Sequence, residues 1–139
     1  MSNRLLGKVA IISGGGGAMG GAQARLFSSE GAAVCVADNR IEKAEEISAE
    51  IIHSGGKAFA TNLDVRSADE WATTVSTTES KLGSVSLLCN NAGANFRVGF
   101  EEQTEDQFRL IMEVGLNGAF LGIQAAVPSM RRSGGGVIL

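Results

Sequence analysis

Short apolar runs alternate along this chain with longer stretches of helical periodicity. The apolar runs predict strands at Lys8–Ile12, Ala33–Ala37, Ala58–Asn62, Ser86–Cys89 and Gly136–Leu139. Between them, helices are predicted at Ala18–Ser29, Ile41–Ser54, Ala68–Lys81 and Glu105–Arg132. In Ile41–Ser54 the apolar Ala44, Ile47, Ile51 and Ile52 are expected on one face, with Glu42, Glu45, Glu46 and Glu50 largely outside it. Gly55-Gly56 ends that helix. Thr104 and Gln107 have capping-box spacing at the start of the last helix, and Pro128 is expected to bend it near its end. Short strands separated by helices read as right-handed βαβ units on a parallel sheet, one domain over residues 1–139 of the α/β class. Such doubly wound folds bind ligands at the carboxyl ends of their strands, where the strand order reverses.

The first strand runs directly into Ser13-Gly14-Gly15-Gly16-Gly17-Ala18-Met19-Gly20. Glycines let the backbone turn tightly and approach a ligand, and the free N–H groups of the next helix then face it with the positive end of the helix dipole behind them. The expected guest is a pyrophosphate. Gly15-x-Gly17-x-x-Gly20 matches a dinucleotide fingerprint literally, although in so glycine-rich a segment the match carries little weight. Asp38 closes the second strand 18 residues after Gly20, where a carboxylate accepts from the adenosine ribose hydroxyls and repels a 2′-phosphate. NAD is therefore expected in preference to NADP. Arg40 softens that preference, because a guanidinium can meet a phosphate. A third feature, Asn90-Asn91-Ala92-Gly93, follows the fourth apolar run with small residues and bridging amides.

Composition narrows the field. Hydrophobic residues make up 44% and charged residues 19%, a globular balance, and the net charge of −3 gives no general attraction to nucleic acid or an anionic membrane. No apolar run approaches the roughly 20 residues of a membrane span, and no signal peptide is evident, so a cytoplasmic protein is expected. Cys35 and Cys89 read as small core residues, His53 as a helix-end ring and Trp71 as helix-face packing. No cluster has metal-ligand spacing. A P-loop is disfavoured because no Lys-Ser/Thr pair follows the glycines.

At this point the chain resembles the short-chain dehydrogenase/reductase family along nearly its whole length. The resemblance rests on Gly7–Gly14, Glu30-Gly31-Ala32-Ala33-Val34, Leu63-Asp64-Val65, Asn90-Asn91-Ala92-Gly93 and Phe120-Leu121-Gly122. It implies a Rossmann-like doubly wound sheet. It implies that Ser13, Gly14, Gly17, Ala18, Met19 and Gly20 cradle the pyrophosphate and that Asp38 holds the adenosine ribose. Asp64 and Val65 would border the adenine, and Asn91, Ala92, Gly93 and Val114 would lie near the nicotinamide-side ribose. Asn90 would be structural, and only the segment from Ala94 to Gly99 would approach a substrate.

The chain also departs from the family's pattern. Ala18 stands where the loop carries glycine, and its methyl would narrow the phosphate approach. A left-handed backbone there would cost about 1–2 kcal/mol. The family's catalytic asparagine falls on Gly115, and Asn117 points elsewhere around the helix. The chain contains no tyrosine, and no lysine follows Lys81, so the family's Tyr-x-x-x-Lys pair is absent and no catalytic residue is assigned. Val137-Ile138-Leu139 reads as the start of a fifth strand, and the chain is expected to be a truncated part of a longer reading frame. Truncation would expose Ile111, Phe120, Leu121 and Val127 on the last helix. The expected function is NAD-dependent hydride transfer to or from a small alcohol or carbonyl substrate, with this chain supplying the cofactor-binding part. By the resemblance, the complete protein would be a homo-oligomer. The alternative is a non-catalytic nucleotide-binding or interaction module.

Overall fold

The structure is a computed structural model that describes residues 3–139. Five strands, β1 (Val9–Ser13), β2 (Ala33–Asp38), β3 (Lys57–Asn62), β4 (Leu87–Cys89) and β5 (Val137–Ile138), form one parallel sheet in the order β3-β2-β1-β4-β5. The helices are α1 (Ala18–Ser29), α2 (Ile41–His53), α3 (Ala68–Leu82), α4 (Glu105–Met112) and α5 (Gly118–Arg132). The order reverses between β1 and β4, which opens the crevice the sequence led us to expect.

Successive strand residues point to opposite faces. Ile12, Val34, Val36 and Cys89 meet Ala24, Ala44, Ile47 and Ile51 of α1 and α2. Ile11, Cys35, Ala37 and Leu88 meet Trp71 and Val75 of α3 and Ala126 and Met130 of α5. Both faces of the central strands are thus covered, which explains their continuous apolar character. Trp71 is fully buried and donates its indole N–H to the carbonyl of Val65 at 3.0 Å. Both cysteines are free and buried, and burial pushes their thiols up to about 12 for Cys35 and about 11 for Cys89. They serve as core.

The last helix differs from expectation. A π turn at Glu113–Asn117 separates α4 from α5, although the backbone stays helical throughout. Its central Gly115 is exposed, and a Cβ there would meet nothing within 4 Å outside the helix's own backbone. Thr104 and Gln107 form the expected capping box, with reciprocal bonds of 3.2 and 3.0 Å. The residues just ahead of it, Phe100–Glu102, form a 3₁₀ turn. Helix α5 runs through Pro128 to Arg132.

Several exposure expectations need correction. On α2, Ile52 is exposed while Ser48 takes a buried place beside Ile47 and Ile51, because Ile52 lies past the edge of the inward stripe. On the last helix Leu121 packs against the core, and Ile111 and Val127 are half-buried. Phe120 is exposed as expected, but in a stripe with Phe108, Met112, Leu116 and Ile123. The whole 28-residue run Glu105–Arg132 is also long and apolar enough to cross a membrane by length and composition, against the reading that no run approaches a span. In this fold its C-terminal half is a packing element, seated on β4 and α3 through Gly118, Gly122, Ala126 and Met130.

Candidate dinucleotide site

The carboxyl ends of β1, β2, β3 and β4 surround a cavity of about 830 Å³. Every residue the sequence nominated lines it except Ser13: Gly14, Gly17, Ala18, Met19 and Gly20 from the glycine loop, Asp38, Asp64, Val65, Asn91, Ala92, Gly93 and Val114. Ser13 lies beneath the floor. Its Oγ donates to the carbonyl of Cys89 at 3.2 Å and accepts from the N–H of Ala92 at 3.1 Å, tying β1 to the segment after β4.

The glycine loop is built around Gly14 and Gly20 rather than the literal fingerprint. Gly14 has φ +63°, and Gly20 packs against the Gly14 carbonyl so closely that a Cβ has no room. Asn91 donates from Nδ2 to the same Gly14 carbonyl at 3.3 Å. Thus the loop and the Asn-Asn-Ala-Gly segment form one unit. Asn90 contributes differently: its main-chain N–H bonds the Leu139 carbonyl at 2.9 Å, while its buried Oδ1 has no partner among the described residues. The strand bridge at Asn90 is therefore made by backbone, not by the side-chain amide.

Ala18 does not strain the loop. It is the first residue of α1, its methyl is exposed, and among the described residues the only non-glycine with positive φ is Asn3. The left-handed penalty contemplated from sequence does not arise. The N-cap, Gly17, offers no side-chain acceptor, and the N–H groups of Ala18, Met19 and Gly20 have no acceptor among the described residues. These are the donors that a helix start leaves open to an anion.

Asp38 is buried at the end of β2, only 4% exposed. Its Oδ2 accepts from the Gly16 N–H at 3.0 Å and its Oδ1 from the Arg40 N–H at 2.9 Å. The Arg40 guanidinium lies alongside, with Nε 3.6 Å from Oδ1. Sequence reasoning assigned this carboxylate to a ligand and missed that it also holds the glycine loop. The two-residue step from Asp38 to Arg40, an Asx-turn spacing, was the legible part of that signal.

At the end of β3, Asp64 is engaged by Arg66, which holds its carboxyl below the usual range. Arg66, Asn39, Arg40, Leu63, Ala94, Asn95 and Leu110 complete the lining, whereas Phe96 and Arg97 are not part of it. Val114 reaches the cavity from the π turn. Asn117 instead lines a neighbouring cavity of about 570 Å³, so it does not stand in for a side chain at Gly115. Among the described residues no group of His, Cys, Asp and Glu could hold a metal ion.

A parallel sheet with this strand order, a glycine loop at the switch point and an acidic end to β2 define a nucleotide-binding α/β protein. The family model for short chain dehydrogenase matches residues 8–139, and the chain belongs to that family. It is 40% identical over 139 residues to 2,5-dichloro-2,5-cyclohexadiene-1,4-diol dehydrogenase LinX of Sphingobium indicum, covering 100% of this chain and 56% of that protein. It is 39% identical over 136 residues to the 7alpha-hydroxysteroid dehydrogenase of Escherichia coli, covering 98% of this chain and 53% of the other. A solved structure of 7 alpha-hydroxysteroid dehydrogenase complexed with NADH and 7-oxo glycochenodeoxycholic acid superposes with a TM-score of 0.90 at 37% identity, over 99% of this chain and 53% of that one. The chain spans about half the length of the curated relatives it matches.

Proposed function

We propose that this chain forms the cofactor-binding part of an NAD-dependent oxidoreductase acting on a secondary alcohol or the corresponding ketone. The carrying observation is the set of open N–H groups at Ala18, Met19 and Gly20, facing the same cavity as the Asp38 carboxylate. The three amides would hold the pyrophosphate, and Asp38 would accept from the adenosine ribose hydroxyls with the oxygen lone pairs that Gly16 and Arg40 leave open. Its buried negative charge disfavours a 2′-phosphate, although Arg40 beside it lessens the penalty. Asn91, Ala92 and Gly93 present small residues and backbone toward the nicotinamide half. Bound there, the nicotinamide ring would supply the hydride acceptor or donor.

Names among the relatives, cyclohexanol dehydrogenase and 7alpha-hydroxysteroid dehydrogenase among them, support an alicyclic alcohol as the substrate class. The absence of tyrosine and the bare Gly115 support placing proton transfer outside these 139 residues. The same observations favour a second reading, a nucleotide-binding module without catalysis.

Fluorescence titration with NADH and NADPH, followed by an assay of NAD reduction with cyclohexanol, tests the proposal. NADH is expected to bind more tightly than NADPH, with no turnover by the chain alone. Equal affinity for the two removes Asp38 as selector, and binding of neither rejects the cofactor assignment. Turnover by a longer protein carrying this chain favours the enzyme over the module.

A further inference from the structure

Met19 is the second residue of α1, and its side chain is 70% exposed where it lines the groove. The other described methionines are less open: Met112 is 39% exposed on the outer stripe, and Met130 is 5% exposed in the core. The helical turn that holds Met19 lacks an acceptor of its own. Gly17 caps it without a side chain, no acidic residue stands in it, and the N–H groups of Ala18, Met19 and Gly20 are open. Side chains on a helix lean toward its N-terminus, so a side chain at position 19 is directed back toward these donors. A thioether offers them only a weak acceptor. One added oxygen changes that. A sulfoxide oxygen stands as many bonds from the backbone as a glutamate carboxylate oxygen, and Glu or Gln in a first helical turn reaches back to the open N–H groups.

We propose that Met19 is an oxidation site that controls access of the dinucleotide to the groove. A hydroperoxide supplies the oxygen. A sulfur lone pair attacks it, the O–O bond breaks and an S–O bond forms. The leaving oxygen takes the proton from the transferred one and departs as water or an alcohol, so sulfur gives up two electrons and the hydroperoxide is reduced. The new oxygen accepts from the N–H groups that open α1 and competes with the pyrophosphate for them. Its partial negative charge also repels the phosphate oxygens. Cys35 and Cys89 are spared by their burial. This inference rests on the dinucleotide reading above.

The test is NADH titration before and after hydrogen peroxide, removed by desalting, on the unmodified chain, Met19→Leu and Met19→Gln, with peptide mass mapping to place the added oxygen. In the unmodified chain Met19 is expected to gain oxygen faster than Met112 and Met130. NADH is then expected to bind about tenfold more weakly, the worth of one hydrogen bond to a charged group. Methionine sulfoxide reductase with a thiol reductant is expected to restore the affinity. Each variant is compared with itself. Peroxide is expected to leave the affinity of both unmoved, with Met19→Gln the weaker binder of the two. Full conversion of Met19 without loss of NADH affinity overturns the inference. So does an equal loss in Met19→Leu, and in either case the dinucleotide reading stands. Failure of NADH to bind the untreated, unmodified chain overturns that reading, and this inference with it.

Discussion

The buried carboxylate of Asp38 accepts a hydrogen bond from the main-chain N–H of Gly16 at 3.0 Å, joining the end of β2 to the middle of the glycine loop. The selector of the ribose is therefore also a structural anchor of the phosphate cradle. Removing it leaves two main-chain donors, Gly16 and Arg40, without their acceptor. Asp38→Ala is expected to lower stability by about 1–3 kcal/mol in denaturant titration and to weaken NADH more than NADPH. Asp38→Asn, which keeps one carbonyl acceptor, is expected to recover part of the stability but not the discrimination. Unchanged stability in Asp38→Ala contradicts the anchoring role.

Gly20 tests the cradle itself. A Cβ there would lie 2.7 Å from Asn91 Nδ2 and would also overlap the Gly14 carbonyl. Gly20→Ala is expected to destabilise by about 1–3 kcal/mol and to abolish measurable dinucleotide binding, because the loop must open to admit the methyl. Gly17→Ala meets only the Gly14 carbonyl, at 3.3 Å, and is expected to be milder in both measurements.

Gly115 has the opposite character. It lies exposed in a helical backbone with free space around it. Gly115→Ala is expected to raise stability by about 0.5–1 kcal/mol in thermal unfolding, through the chain entropy that glycine loses on folding. A loss of stability would mean that the π turn requires glycine.

A polar clamp joins α3 to α5. Ser129, fully buried, accepts from the Val85 N–H at 2.9 Å and donates to Glu79 Oε1 at 2.6 Å, and Arg132 pairs with the same oxygen. First the Ser129 hydroxyl and then Arg132 hold the Glu79 carboxyl below its ordinary value. A carboxyl whose folded pKa is depressed contributes stability above its unfolded pKa, and the contribution is lost as pH falls through the folded value. Glu79→Gln is therefore expected to be less stable than the unmodified chain at pH 7, with the gap closing on acidification below about pH 4. Ser129→Ala is expected to cost about 1–3 kcal/mol, since the buried Val85 N–H then lacks its acceptor. A gap between Glu79→Gln and the unmodified chain that stays constant down to pH 2 contradicts the clamp.

The central strands β1, β2 and β4 were legible because strands buried on both faces read as short continuous apolar runs, and the glycine loop and Asp38 mark where β1 and β2 end. The site was legible to the extent that its residues sit at strand ends. What escaped was the pairing inside it. That Gly14, not Ala18, takes the positive φ depends on how Gly20 seats against it, a contact across the turn. That Asp38 holds Gly16, and that Arg66 holds Asp64, depends on side-chain reach, which spacing does not encode. The π turn was hidden because Glu113–Asn117 keeps helical periodicity on either side. Ile52 was misplaced because an apolar side chain at the edge of a helical stripe carries the same pattern as one inside it.

The central claim, that the amides opening α1 receive the cofactor's pyrophosphate, is tested most directly by amide NMR of the 14.4 kDa chain during titration with NADH. The account predicts that the Ala18, Met19 and Gly20 resonances shift together with that of Gly16, with one shared dissociation constant. Saturable shifts confined to other surfaces, with these four amides unmoved, would contradict it.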